Sequence, residues 1–330
     1  MPAPSTTLNG YRPDLGMMFE FDVEMDNAGF IANRMAPVFE ASEENGTVGI
    51  IPLKQLRQTP MTGRDNRGNY NRVNFTFKDE TYATLENGIE MPIDRRRSKI
   101  YRNWFDFEVV SAAITLNMVL RAYEMRVAAL LHDTAVFTGA AKTTAITEEW
   151  NDWTNAVPLT DVMGAKLDVW GATGIYSDAL QINKRQFDNL RNCDQITAKI
   201  ASSGAGTPIK PADITKEILA NCFDVREIVV ADSSKDTANE GQSVSIAQIW
   251  SDEYAFLFKS ARTNRIEEPT CARTIHWGED GSSIGGQMET YYEDQSRGDV
   301  VRVRHDSQER VMYASLGHLF SNVIDGALAT

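Results

Sequence analysis

Apolar side chains recur at Val109, Ala113, Leu116, Leu120, Tyr123, Val127 and Leu131. The steps alternate between three and four residues, which aligns them as one stripe of a helix. No Gly or Pro interrupts the segment FEVVSAAITLNMVLRAYEMRVAALLHD. The pattern predicts one helix over residues 107–133, about 40 Å long at ~1.5 Å per residue. Burying such a stripe contributes about 1.5–3 kcal/mol per large side chain before entropy is counted. The segment reads as a structural beam, with a coiled-coil seam as the alternative.

Upstream the period changes. Val73, Phe75 and Phe77 alternate with Asn74, Thr76 and Lys78, as in a strand. This run and TVGIIPLKQLR (residues 47–57) read as the arms of a long hairpin, 47–57 and 70–82. Its tip, TGRDNRGN (residues 62–69), is rich in turn formers. Pro52 and Pro60 exclude a central place in a broad sheet. A two-stranded hairpin has no core of its own. It must lie on something, and a neighbouring subunit is a candidate.

After the beam and a loop with Trp150 and Trp153, helical and strand patterns alternate. TDVMGAKLDVW reads as a helix with Thr160 as N-cap, ending near Gly171 and Gly174. DALQI reads as a buried strand. NKRQFDNLRN opens with Asn183 and Gln186 at capping-box spacing. DITKEILANCF reads as a helix capped by Asp213, and REIVVA as a second buried strand. ASSGAGTP (201–208) and DSSKDTANEGQS (232–243) read as polar loops. SIAQIWSDEYAFLFK reads as two strands around Ser251–Glu253, GDVVRVRHD as a half-buried strand, and VMYASLGHLFSNVI as a packed tail strand.

Charge sharpens this organisation. The chain of 330 residues has a net charge of −13. Residues 1–53 hold two basic and eight acidic side chains, whereas 54–102 hold eleven basic and six acidic. An acidic arm therefore precedes a basic ribbon on an acidic body. One reading is a solvated face. The other is a complementary contact between copies of the chain. Overall acidity disfavours tight nucleic-acid binding. Cys193, Cys222 and Cys271 form no CxxC pair and fit small buried apolar residues. No secretory leader and no apolar run long enough for a membrane span occurs, so no membrane partner is expected.

Enzyme chemistry is weakly represented. His132, His276, His305 and His318 share no metal-ligand spacing. GAAKTT (residues 139–144) lacks the Gly before Lys that a phosphate loop needs. No catalytic residue, cofactor or metal is expected. DRRRSK (94–99), with Tyr101 and Trp104 nearby, could contact phosphates and bases. Its place between ribbon and beam fits contact with another subunit's carboxylates better.

The order of these elements resembles the major capsid proteins of tailed bacteriophages, the Hong Kong 97-type fold. RMAPVFEASEENGTVGIIPLKQL is similar to the family's arm entering its first extended strand. The beam followed by EEWND resembles its spine helix and following loop. DALQINKRQFDNLRN, DITKEILANCFDVREIVVADS and IWSDEYAFLFKS resemble its axial domain, and GDVVRVRHDSQERVMYASLGHLFSNVI its closing segment. The resemblance implies an α+β fold in four parts. These are an N-terminal arm (1–46), an extended-loop β-hairpin (47–102), a peripheral domain (103–157 and 266–310) and an axial domain (158–265 and 311–330). It implies self-assembly into hexamers and pentamers of an icosahedral shell around double-stranded DNA, held only non-specifically. Arg57, Arg64, Arg67, Arg72 and Lys78 on the loop, and Arg95, Arg96 and Arg97 at its base, are the expected inter-subunit contacts.

Some family members carry a long N-terminal scaffolding segment. This chain begins almost at the arm, so a separate scaffolding protein is expected, with a portal protein and a decoration protein as further partners. No Lys–Asn crosslink between subunits is expected. Two alternatives stand beside this reading: an encapsulin-like compartment shell, and a cytosolic α/β enzyme with an oligomerising hairpin.

Overall fold

The computed structural model describes residues 10–11, 29–74, 76–101, 106–201, 210–278, 284–295 and 297–324. In chain order these form β1 (Gly10–Tyr11), α1 (Ala32–Met35), β2 (Val38–Ala41), β3 (Asn45–Ile50), α2 (Leu53–Leu56), β4 (Lys78–Ala83), β5 (Leu85–Asp94), α3 (Arg95–Tyr101), α4 (Phe107–Leu131), β6 (Thr143–Ala145), α5 (Pro158–Thr173), β7 (Ala179–Asn183), α6 (Lys184–Asn192), α7 (Asp194–Ala201), α8 (Lys216–Phe223), β8 (Glu227–Ala231), β9 (Ser234–Asp236), β10 (Ile246–Gln248), β11 (Ala255–Phe258), β12 (Ala272–Trp277), β13 (Gln287–Glu293), β14 (Gly298–Val311) and β15 (Gly317–Ser321). Short 3-10 turns lie at Pro211–Asp213 and Ala314–Leu316.

The beam forms as α4. The Asp106 side chain caps it by accepting a hydrogen bond from the Glu108 amide at 3.1 Å. The helix ends at Leu131, two residues short of the expected limit. Its buried stripe is broader than the sequence pattern, because Ala112, Thr115, Val119 and Ala128 join Leu116, Leu120, Tyr123, Val127 and Leu131. This face lies on a mixed sheet of order β1-β13-β14-β12-β2, with β5 pairing β14 as well. The Tyr123 hydroxyl reaches Thr274 Oγ1 on β12 at 2.7 Å.

A second sheet has the order β6-β15-β11-β7-β8. Its two faces serve different cores, as strand alternation requires. Leu180, Ile182, Leu257 and Phe320 pack with helices α5–α8. Ala179, Val229, Phe256, Phe258 and Leu319 turn to the core that holds α4. Asn183 and Gln186 form the expected capping box at the start of α6.

Several local readings change. Helix α5 begins at Pro158 with Val157 as N-cap, not at Thr160, since proline at the first helical position has its φ already set. Helix α8 is capped by Thr215, whose hydroxyl accepts from Ile218, while Asp213 ends a 3-10 turn. The loop 232–243 contains β9, which pairs with β10 in a small hairpin. The segment 201–208 falls almost wholly outside the described residues.

The ribbon departs most from expectation. Among the described residues its two arms pair as β3 and β4, in register from Asn45↔Ala83 to Ile50↔Lys78. The expected first arm bends into α2 after Pro52, and the described residues 70–77 form no strand. Phe75 lies outside the described residues. The polar and apolar alternation there has no partner strand among the described residues to organise it. Residues 85–94, assigned to the ribbon by sequence, instead form the longest partner of β14.

Candidate inter-subunit surface

The ribbon's root is built for close contact. Val48 and Ile50 on β3 are buried, and Gly46 faces Tyr82 across the pair. A Cβ at Gly46 would come within 2.7 Å of the Tyr82 hydroxyl, so a larger residue there requires the Tyr82 side chain to shift. Arg310 donates to the Thr81 carbonyl and to the Glu80 carboxylate. The Tyr313 hydroxyl donates to Ile51 O at 3.0 Å, and Arg57 Nη2 to Gly174 O at 2.7 Å. The Ala83 amide donates to Gln308 Oε1 at 3.0 Å.

Beyond this root the chain runs out into solvent. Every described residue from Arg57 to Asn74 is exposed except Gly68, which is half-buried. Apolar side chains are among them: Met61 is 85% exposed and Tyr70 71%. Exposing large apolar groups on a thin segment is unfavourable for an isolated molecule and natural at an interface.

The predicted basic residues fall into two sets. Arg57 is held at the root by Gly174. Arg64 folds back on the tip, donating to Gly68 O at 2.7 Å and lying 4.7 Å over the Tyr70 ring. Lys78 pairs with Glu80 at 2.6 Å, which holds that carboxyl below its ordinary range. Arg67 and Arg72 are exposed and make no ion pair among the described residues. At the base, Arg95 makes a two-pronged contact with Asp299 at 3.2 and 3.3 Å and lies 4.5 Å over the Tyr292 ring. The Asp299 contact raises the pKa of this guanidinium further. Arg96 and Arg97 are exposed and make no ion pair among the described residues. An open groove of about 480 Å³ lies where α3 meets α4, lined by Arg95, Lys99, Asp106, Glu108 and Asp299.

Sequence reasoning missed a charge ladder on the long sheet. Arg302 contacts Glu90 at 2.6 Å and Glu289 at 3.4 Å, and Arg304 contacts Glu289 at 3.2 Å. The alternation VRVRHD placed both arginines on one face. Their partners come from β5 and β13, which sequence alone did not pair with β14.

The histidines are packing groups. Burial lowers the pKa of His132 to about 4; it lowers that of His305 to about 3, helped by the nearby Arg126 guanidinium. Among the described residues, no group of three or more His, Cys, Asp and Glu could hold a metal ion. No described helix is long and apolar enough to cross a membrane.

A two-sheet body crossed by a long helix, with a solvent-borne ribbon, is the Hong Kong 97-type fold expected from the sequence. No family model matches the chain. By sequence it is 21% identical over 301 residues to the major capsid protein of Pseudomonas phage JBD67, covering 90% of this chain and 93% of the relative. By structure it resembles a phage-related protein from Bordetella bronchiseptica RB50, with TM-score 0.69 and 16% identity over 96% of this chain and 98% of the other. It also resembles the capsid protein of cyanophage P-SCSP1u, with TM-score 0.59 and 10% identity over 88% of each chain. The SrpI encapsulin of Synechococcus elongatus PCC 7942 shares the fold at TM-score 0.50 and 10% identity, over 90% of this chain and 88% of that one. The chain thus has the capsid fold of tailed phages, and its relative along nearly its full length is a phage major capsid protein.

Proposed function

We propose that this chain is the major capsid protein of a tailed bacteriophage, assembling with copies of itself into the shell of the virion. The single observation that carries the reading is the ribbon of residues 57–74, exposed at every residue but Gly68 and, among the described residues, hydrogen-bonded to the body at its root. A contact in which one copy's ribbon crosses the next is heterologous, and repeated about an axis it closes a ring. Hexamers and pentamers of that kind tile an icosahedral shell. In this reading Arg67 and Arg72, with Arg96 and Arg97 at the base, meet carboxylates of the adjacent copy.

The same reading assigns residues 1–46 to an arm and 47–102 to the ribbon, with β5 built into the peripheral sheet. Residues 103–157 and 266–310 are the peripheral domain, and 158–265 and 311–330 the axial domain. The role is structural rather than catalytic. Separate scaffolding, portal and decoration proteins complete the particle, and the net charge of −13 limits adhesion to packaged DNA.

The test is expression of the full chain, alone and with its neighbouring genes, followed by negative-stain electron microscopy and sedimentation. Rings of five and six or closed shells are expected, and deletion of residues 58–74 abolishes closure. A monodisperse dimer or tetramer under both conditions would overturn the reading. A compartment shell is the second reading, supported by the shared encapsulin fold. Particles purified from infected cells separate the two: double-stranded DNA inside supports the virion, and a packaged protein cargo supports the compartment.

A further inference from the structure

Helix α5 is apolar on two sides. Val162, Ala165 and Val169 are buried in the core beneath the second sheet. On the other side Met163 is 64% exposed, Leu167 50% and Trp170 47%. Their spacing of four and then three residues puts them on one face. Tyr176 extends that face, stacked on Trp170 with ring centroids 5.9 Å apart and planes 20° from parallel. A helix apolar all round belongs between two layers, and the described residues supply only one.

Gly164 and Gly171 lie on the exposed side, seven residues apart. A Cβ at either would meet nothing within 4 Å. Glycine weakens a helix interior, and no contact among the described residues requires it at these positions. What the two glycines provide is low ground where another backbone can settle closely. Among the exposed residues of α5, Asp168 is the sole charged one, so the face offers no cation to a phosphate chain. Lys166, the helix's only basic residue, is buried against Asp224 at 2.8 Å.

We infer that this face of α5 seats a second copy of the chain, as a subunit–subunit contact separate from the ribbon. The inference rests on the shell reading above. Two observations favour a copy of the chain over another partner. The face is apolar in the manner of permanent self-contacts. It also runs into the ribbon's root, since Gly174, the residue that closes α5, accepts the hydrogen bond from Arg57. One surface spanning the root and α5 gives each adjacent copy two footholds, which fixes its angle as well as its distance.

The experiment compares shell yield and subunit stability for the wild-type chain, Met163→Glu with Leu167→Glu, and Gly164→Ala with Gly171→Ala, all co-expressed with the neighbouring genes. The glutamate pair replaces exposed groups, so its circular dichroism and unfolding midpoint stay at the wild-type values. Its shell yield falls at least about tenfold, the factor set by ~1.4 kcal/mol of lost contact. The alanine pair unfolds at a higher temperature yet also assembles less well, because methyl groups hold the partner off. Shells at wild-type yield from both variants would overturn the α5 assignment while leaving the shell reading intact. Normal shells that have lost a second, co-purifying protein would show that the face serves another partner, and also overturn it. A wild-type chain that forms neither rings nor shells would overturn the shell reading and this inference with it.

Discussion

Glu124 shows how one buried side chain joins three parts of the chain. It projects from α4, and its carboxylate accepts from the amides of Ile31 at 2.9 Å and Ala32 at 2.7 Å, and from the Trp250 indole at 2.5 Å. Burial pushes its pKa up, and these three donors oppose that shift. Glu124→Ala would leave the donors unpaired and is expected to cost about 3 kcal/mol in denaturant unfolding. An exposed carboxylate such as Glu44 should change stability by less than about 0.5 kcal/mol when made Ala. Equal losses would show that the buried network is not what binds these segments. His132 gives a pH dependence of definite sign. Its Nε2 faces Gln181 Oε1 at 3.3 Å and its ring edge meets Trp250, with a folded pKa of about 4. The unfolded side chain takes up its proton near pH ~6.5. Stability is therefore complete above that pH and falls as pH drops toward 4, by up to about 3 kcal/mol. His132→Gln should flatten that part of the curve, and an unchanged slope between pH 6.5 and 4 would refute the assignment. Neither role was legible in the sequence, because Ile31, Gln181 and Trp250 are all remote from the residues they meet.

Elements were legible where a local pattern carried them. Helix α4 announced itself by apolar spacing, and α6 by a capping box that the structure reproduces atom for atom. Strands β7 and β8 followed from short apolar runs buried on both faces. The failures share one cause. Strand β5, LENGIEMPID, is polar and contains Gly88 and Pro92, so nothing local marks it as a strand. It exists because β14 lies beside it and pairs with it from Leu85 to Asp94. Residues 70–77 alternate like a strand in sequence, yet the described residues among them pair with no strand. Pairing overrides propensity in both directions. The ribbon's root depends on Arg310 in the same way. Arg310→Ala should free β4, seen as faster hydrogen exchange over residues 78–83 and easier proteolysis between 58 and 74. Global stability should move by about 1–2 kcal/mol at most. Exchange unaltered in β4 would mean that Val48 and Ile50 hold the hairpin without help.

For the whole molecule, charge and exposure bear on how copies would meet in the proposed shell. The sequence showed a basic ribbon on an acidic chain, and the structure leaves Arg67 and Arg72 exposed on its outer part. It could not show which basic residues are already engaged, since the partners Asp299 and Gly174 lie far off in sequence. Arg67→Glu with Arg72→Glu is expected to slow assembly, followed by light scattering, several-fold at low salt. Raising salt from 0.1 to 1 M shortens the screening length from about 10 to ~3 Å. Wild-type assembly should slow across that range while the variant responds little. A wild-type rate that does not respond to salt would assign the ribbon's contact to its apolar side chains instead.

Strand β14 has a mechanical consequence for the proposed shell. It pairs with β5 over residues 298–307 on one side, and with β13 over 298–304 and then β12 over 307–311 on the other. A pull along the strand loads all of those hydrogen bonds together, so the sheet resists tension as a single plate. The β3–β4 pair is held to the body by Gln308, Arg310 and Tyr313, whereas the described residues 58–74 beyond it form no strand, so a pull on the ribbon takes up that length first. The subunit thus combines a stiff plate with a compliant tether. When such a shell is stretched, the tethers should give first and the plates keep their shape.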